Sequence, residues 1–484
     1  MTITNEEVEE LRQLCPNLYS PDDAAFPDKA APWSVWADRN PQYAVEPHDI
    51  ATMQAVVKYL YSHKSIDFCV RNTGTGGSSA TDVVLSMHGF KELHFDPKDE
   101  SVIAGGGLAW GELDQLMDQK ANGYGCVGAR CTWVGVTGGP LVGGLSWLSH
   151  EYGMISDPQN WLDAEIVTGD GRVRWAAKED PDLMWSLRGG GGNFGVVTRL
   201  KLKAYQIPAK IFCGVILVPY SSLQETSRAI AAFNKRPSDP KMAMHIMNQG
   251  TGAGQEDQGS KPGIVLMPID FRGEAHARSE EGFGWAWKVT GAREFVAMET
   301  TLTGVNALND TFKSYQGTNE FWLAAPLVSD IDDDMLVRMW KWYEDSYNLH
   351  PGFGKGSVVL LEFMQEAAFN STSGPEATAF PHGRGQRHVL QTQLGCPPKS
   401  KTKAGGDSRE LAMSRMSQAG KEMAGDAYLG EWHAGFLHEW SDLKEVYGPN
   451  YEKLKALKRR YDPENRFNKG VDLTEGRVTE GMTV

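Results

Sequence analysis

The sequence predicts an α+β fold, and three observations carry that reading. Its 484 residues exceed what one hydrophobic core usually serves, so two domains are the natural division. Up to about residue 207, extended runs alternate with helix-period runs around glycine-dense stretches. From about residue 208 the strand-like runs are separated by amphipathic helices and long hydrophilic loops, which is α+β patterning of a second domain.

Taken in order, residues 1–11 are acidic and read as a capped amphipathic helix. They lack the basic and apolar regions of a secretory signal, and no apolar run in the chain reaches spanning length. With six scattered cysteines, too few for a disulfide framework in a chain this long, the expected compartment is cytoplasmic. Residues 50–63 carry apolar side chains at helical spacing, and 66–70 read as a strand. Val83, Val84 and Leu85 form a short apolar strand, and 93–104 two strands around a turn at 96–99. Gly105, Gly106 and Gly107 open a helix bearing Leu108, Trp110, Leu113 and Leu116. Residues 162–175 form a hairpin turning at Gly169-Asp170-Gly171.

In the second half, residues 211–218, 263–268, 358–363 and 388–393 read as strands. Residues 223–233 and 335–347 read as amphipathic helices, and 451–460 as a basic amphipathic helix. Segments 250–262 and 397–408 are rich in Gly, Lys and Ser and read as loops. The formal charge of −14 repels polyanions, so nucleic acid is excluded as a partner. The 15 tryptophans read mostly as core, although Trp322, Trp340 and Trp342 could form a wall that stacks a ring.

Two glycine-dense stretches organise the chain. Residues 129–144 lead from Cys131 into Gly135, Gly138, Gly139, Gly143 and Gly144. Glycine costs about 1 kcal/mol per residue in a helix interior, so this run suits backbone pressed against something large and flat. The interleaved Val134, Val136, Leu141 and Val142 argue against a solvated loop. Upstream, Arg71-Asn72-Thr73-Gly74-Thr75-Gly76-Gly77-Ser78 follows a strand. Consecutive small residues there let backbone N–H groups converge on a phosphate. A third run, residues 190–195, satisfies G-x-G-x-x-G. A helix-like segment precedes it and a strand follows, the inverse of a dinucleotide-binding turn, so a Rossmann site is rejected. There is no H-E-x-x-H or clustered Cys/His set for a metal, and no G-x-S-x-G elbow for a serine hydrolase.

In this order the motifs resemble the berberine bridge enzyme-like branch of the vanillyl-alcohol oxidase/para-cresol methylhydroxylase (PCMH) flavoproteins. Residues 71–76 resemble the family's pyrophosphate loop and 127–135 its cysteine loop. Residues 182–198 are similar to the segment closing its flavin domain, and 461–467 to its C-terminal signature. The resemblance implies a PCMH-type FAD-binding domain of two α/β subdomains at residues 1–207. It further implies a substrate domain at 208–425 with an antiparallel sheet backed by helices, and a berberine-like return to the first domain at 426–484. FAD is the implied cofactor, with Arg71, Asn72, Thr73, Gly74, Thr75, Gly76, Gly77 and Ser78 at its pyrophosphate. Cys131, Val134, Gly135, Thr137, Gly138, Gly144, Gly195, Val197 and Asn465 are the remaining implied contacts.

Relatives can attach flavin C6 to the cysteine at position 131, and many attach the C8 methyl to a histidine where this chain has Thr75. Threonine cannot make that bond. The flavin is thus attached singly through Cys131 or held without covalent bonds. Ala379-Phe380-Pro381-His382 resembles a Phe-Pro-His-Arg run and places Gln391, with Gln393, on the substrate face of a strand. Glutamine can orient a substrate but cannot be its base. Residues 427–431 resemble a Tyr-x-Asn-Tyr or Tyr-x-Asn-Glu segment whose last tyrosine is the base in plant-type relatives; with Gly430 for the asparagine and Glu431 in the tyrosine's place, Glu431 is the expected base and Tyr428 a second candidate. The implied activity is an oxidase removing a hydride from a C–H beside O or N of a small organic substrate and reducing O2 to hydrogen peroxide. A carbohydrate or alcohol oxidase, and a flavin-containing cyclase or isomerase with no net redox change, remain as alternatives. No membrane partner is expected.

Overall fold

The structure is a computed structural model that describes residues 3–250, 262–354, 356–363, 369, 374–382, 388–398 and 407–479. The expected loops at 250–262 and 397–408 lie mostly outside them, as do Gly383 and Arg384. Three main sheets divide the described chain. The first is β1 (Leu18–Tyr19), β2 (Tyr43–Val45), β3 (Phe68–Arg71) and β4 (Val83–Ser86), in the order β1-β2-β4-β3 with β4 parallel to both neighbours. The helix Ile50–Ser62 makes the crossover between β2 and β3. Asp49 starts it by accepting the Thr52 N–H, and Met53, Val56, Val57 and Leu60 form its buried stripe. Near the N-terminus, Thr4 and Glu7 form a capping box for the helix Asn5–Leu14.

The second sheet holds β5 (Leu93–Asp96), β6 (Ser101–Gly105), β7 (Tyr124–Cys126), β8 (Trp161–Val167), β9 (Val173–Trp175) and β10 (Val196–Gln206). Its pairs are antiparallel, and the long β10 lies between β6 and β8 while also pairing with β7. The expected hairpin at 93–104 and its neighbour at 162–175 are both present. Helix Pro181–Leu187 precedes the 190–195 run and β10 follows it, the context that excludes a dinucleotide turn.

The third sheet is wholly antiparallel and has nine strands among the described residues. They are β11 (Ile211–Val218), β12 (Met242–Gly250), β13 (Pro262–Asp270), β14 (Arg293–Thr300), β15 (Glu320–Ala324), β16 (Pro326–Val328), β17 (Val358–Phe363), β18 (His388–Cys396) and β19 (Tyr428–Trp432). Helices Leu223–Asn234 and Asp333–Leu349 cover one face. Asp332 caps the latter on the Met335 N–H, and Asp333 and Asp334 favour its positive end. Its Leu336, Met339, Trp340 and Tyr343 are sealed against the sheet, each contributing about 1.5–3 kcal/mol through burial. Trp322, Trp340 and Trp342 are therefore core and do not line a substrate wall. No described helix is long and apolar enough to cross a membrane.

After β19 the chain returns to the first two sheets through the helix Tyr451–Tyr461. Its Lys458 is fully buried and donates to the Asn193 carbonyl at 3.0 Å, the Phe467 carbonyl at 2.8 Å and Asp462 Oδ2 at 2.6 Å. One ammonium thus ties the glycine run before β10 to the tail. Removing it leaves the Asp462 carboxylate buried without its cation. Lys458→Met is expected to lower the unfolding free energy by about 3–5 kcal/mol, read as a lower guanidinium midpoint.

Candidate functional site

A cavity of about 390 Å³ lies where the three sheets meet. Its first wall is the loop after β3. That strand ends at Arg71, and Gly74 and Gly77 follow with φ of 78° and 69°, a conformation that favours glycine. Arg71 is buried and commits its guanidinium to the surrounding backbone, donating to the carbonyls of Asp28, Lys29, Ala31, Asn72 and Thr73 at 2.7–3.3 Å. Burial lowers its pKa to about 10. The side chain fixes the loop's shape, leaving backbone donors of the following residues for a ligand.

The second wall is the glycine run after Cys131. Trp110 N–H donates to the Val134 carbonyl and Gly111 N–H to the Thr132 carbonyl, so the N-terminus of helix Trp110–Lys120 aligns the run. Asn72 Nδ2 reaches the Gly106 and Leu108 carbonyls at 2.7 and 3.0 Å, beneath Gly135. Within this run Gly138–Leu141 makes a single helical turn, and strand character is confined to one bridge between Ala109 and Gly135. A Cβ added at Gly138 or at Gly192 would meet nothing within 4 Å, and both glycines line the cavity. A flat, large group fits such a cradle, and FAD is a group of that shape.

The third wall is one face of the nine-stranded sheet and its neighbours: His245 and Met247 on β12, Val358 and Leu360 on β17, Gln391 and Gln393 on β18. Phe312, Tyr315, Phe321 and Leu323 extend it, and Trp33 stacks on Trp133 with centroids 5.0 Å apart. Arg130 links this wall to the second: its Nη1 pairs with Glu362 and its carbonyl accepts from Asn309 Nδ2 at 2.9 Å. Burial pushes the Cys131 thiol up to about 12, the nearby Arg130 charge pulling the other way. Burial likewise holds His433 down at about 3, and its Nδ1 accepts the Gly435 N–H at 3.1 Å.

The expected residues 71–78, Cys131, Val134, Gly135, Thr137, Gly138, Gly144, Gly195, Val197 and Gln391 all line this cavity. Three other expected residues lie outside the lining. Tyr428 and Glu431 sit on β19 outside the lining, with Tyr428 packed beside Trp432 and its hydroxyl raised to about 12 by burial. Their strand runs along the sheet edge, and the lining resumes two residues later at His433. Asn465 also lies outside: at φ 50° it turns the tail, and Nδ2 donates to Asp472 at 3.0 Å. The segment containing Phe380 and His382 is scaffold, since Ala379 N–H donates to the Arg188 carbonyl and His382 Nε2 lies 2.6 Å from Asp157.

Sequence reasoning missed Arg39, Trp33, Arg466, Phe467 and Lys469, which line the end nearest β3. The match at 461–467 pointed to this tail, but its outward residue was taken for the inward one.

Family-model comparison matches "FAD binding domain" to residues 41–177 and "Berberine and berberine like" to residues 432–470. The FAD-linked oxidoreductase iacH of Pestalotiopsis fici is 25% identical, covering 94% of this chain and 88% of its own. The (R)-6-hydroxynicotine oxidase of Paenarthrobacter nicotinovorans is 26% identical, covering 94% and 95%. A xylooligosaccharide oxidase from Myceliophthora thermophila C1 shares the fold, with a TM-score of 0.78 at 16% identity over 98% of this chain and 99% of its own. Because a Cβ at Gly138 meets nothing within 4 Å, Gly138→Ala is expected to leave apo-protein stability within about 0.5 kcal/mol. It should weaken FAD binding at least about tenfold, measured by titrating apo-protein with FAD.

Proposed function

This chain belongs to the berberine bridge enzyme-like, PCMH-type FAD-linked oxidoreductases, and we propose that it is an oxidase of a small, largely apolar organic substrate. The bond broken is a C–H beside oxygen or nitrogen, and O2 is reduced to hydrogen peroxide. The observation that carries this reading is the pairing of a side-chain-free cradle with a facing wall of Met247, Val358, Leu360, Phe312 and Phe321. The domain division at 1–207, 208–425 and 426–484 is proposed on the same ground.

Bound FAD would supply the two-electron acceptor and pass both electrons to O2. Backbone donors of residues 74–78 would hold its pyrophosphate. Gly135, Gly138 and Gly144 would let its ring lie against backbone, and Cys131 would be the single point of attachment, because Thr75 offers no nucleophilic ring nitrogen. Gln391 would orient the substrate by hydrogen bonding. No carboxylate stands among the described lining residues, so Glu431 is not retained as base. His433 has its acceptor nitrogen occupied by Gly435, and His245 receives Arg130 at 3.2 Å. Among the described lining residues the Tyr315 hydroxyl is left for the substrate's proton, which it would accept as the phenolate.

The carbohydrate oxidase reading draws support from the fold shared with a xylooligosaccharide oxidase, but a sugar needs a polar groove and this wall is mostly apolar. A cyclase or isomerase would show no lasting flavin bleaching with substrate under anaerobic conditions, whereas the oxidase bleaches.

Acid denaturation is expected to leave yellow colour on the wild-type peptide and to release it from Cys131→Ala. The thiol is raised in the folded protein, to about 12, so its thiolate fraction climbs as pH approaches that value from below. Attachment after mixing apo-protein with FAD should therefore accelerate about tenfold per pH unit between pH 7 and 9. A pH-independent rate, read by denaturing gel fluorescence, would contradict thiolate attack.

A further inference from the structure

The sheet wall of the cavity contains a polar assembly that the proposed reaction leaves unused. His245 on β12 and Glu362 on β17 are register partners. Arg130, one residue before Cys131, reaches between them, its Nη1 paired with Glu362 and 3.2 Å from His245 Nε2. Glu362 is fully buried. Trp147 packs on the imidazole with centroids 4.1 Å apart, fixing its plane.

A guanidinium donates and never accepts. Nε2 is therefore the acceptor in this contact, and a neutral imidazole must then carry its proton on Nδ1. Neutrality follows from the surroundings: burial, then the charges of Arg130 and of His150, hold His245 well below the usual histidine range. Arg130, Glu362 and His150 are the charged or titratable groups facing the ring. Nδ1 has no hydrogen bond to any described residue, yet the side chain lines the cavity and this atom is not sealed away. An N–H donor in so buried a place calls for an acceptor, and the cavity is the side left open to supply one.

We propose that His245 is a specificity-determining residue whose Nδ1–H, locked in place by Arg130 and Glu362, donates to an oxygen or nitrogen acceptor on the substrate. Arg130 and Glu362 are positioning residues that act through it. The inference rests on the cavity being the substrate site, as in the proposed function.

Two measurements on the holoprotein test it. Long-range 1H–15N correlation spectra of histidine-labelled protein, assigned with His245→Asn, are expected to show Nδ1 protonated and Nε2 bare, with no titration from pH 5.5 to 8.5. In the second, flavin absorbance follows titration with benzaldehyde, which carries an acceptor oxygen, and with styrene, which does not. Benzaldehyde should bind about tenfold tighter, as one buried hydrogen bond implies. His245→Phe should bring the ratio to about one, and His245→Asn should restore part of it. An Nε2–H tautomer, no preference in the wild type, or a preference surviving in His245→Phe overturns the proposal. So does a flavin spectrum altered by His245→Phe before either probe is added, which would assign the donor to the cofactor. The tautomer is read whether or not the protein is an oxidase, so failure of that reading and failure of this one are told apart.

Discussion

A charged pair at the cavity wall, its carboxylate sealed from water, joins the loop of Cys131 to the large sheet. Removing a guanidinium and a carboxylate from water costs several kcal/mol for each ion, and their attraction offsets that only in a fixed geometry. Arg130 and Glu362 meet in such a geometry, with Glu362 fully buried. The position of Cys131 follows, because its neighbours on both sides are held from the sheet side: Arg130 by Glu362 and Asn309, Thr132 by Asp310. Apolar residues would have packed the two layers with less desolvation. A charged pair adds direction, and direction is what a reacting site requires.

Much of this was legible in the sequence, and the reasons differ by element. The glycine stretches were readable because a chain uses so many glycines only where a Cβ cannot be accommodated or where a ligand needs the space. Helices 50–62 and 333–349 were legible as 50–63 and 335–347 through a 3.6-residue apolar stripe. Strand β12 was missed because Met-Ala-Met-His-Ile-Met-Asn is poor in the β-branched and aromatic residues that mark strands. Strand β14, at the sheet edge with Phe295 73% exposed, lacks the buried face that produces alternation. Strand β19 contains Gly430 at φ 69°, which disguises it as a turn.

The catalytic assignments were less legible, for a geometric reason. A motif fixes which residues are near one another along the chain, whereas a site depends on where the folded path passes the cavity. Glu431 lies on β19 outside the lining, and His433, just past the end of that strand, lies within it. Arg71 shows a limit of another form: a cation at a phosphate loop invites an ionic contact, yet its donors go to five backbone carbonyls. Only the folded path of residues 28–31 reveals that.

The end of the cavity nearest β3 is walled by Arg39, by residues 68–79 and by Arg466, Phe467 and Lys469, with Arg466 bonded to the carbonyls of Leu60, His63 and Ile66 about four hundred positions away. A ribosome that has synthesised every strand of the large sheet has still not supplied this closing piece. A chain interrupted before residue 466 would possess two walls of the chamber without this end of it.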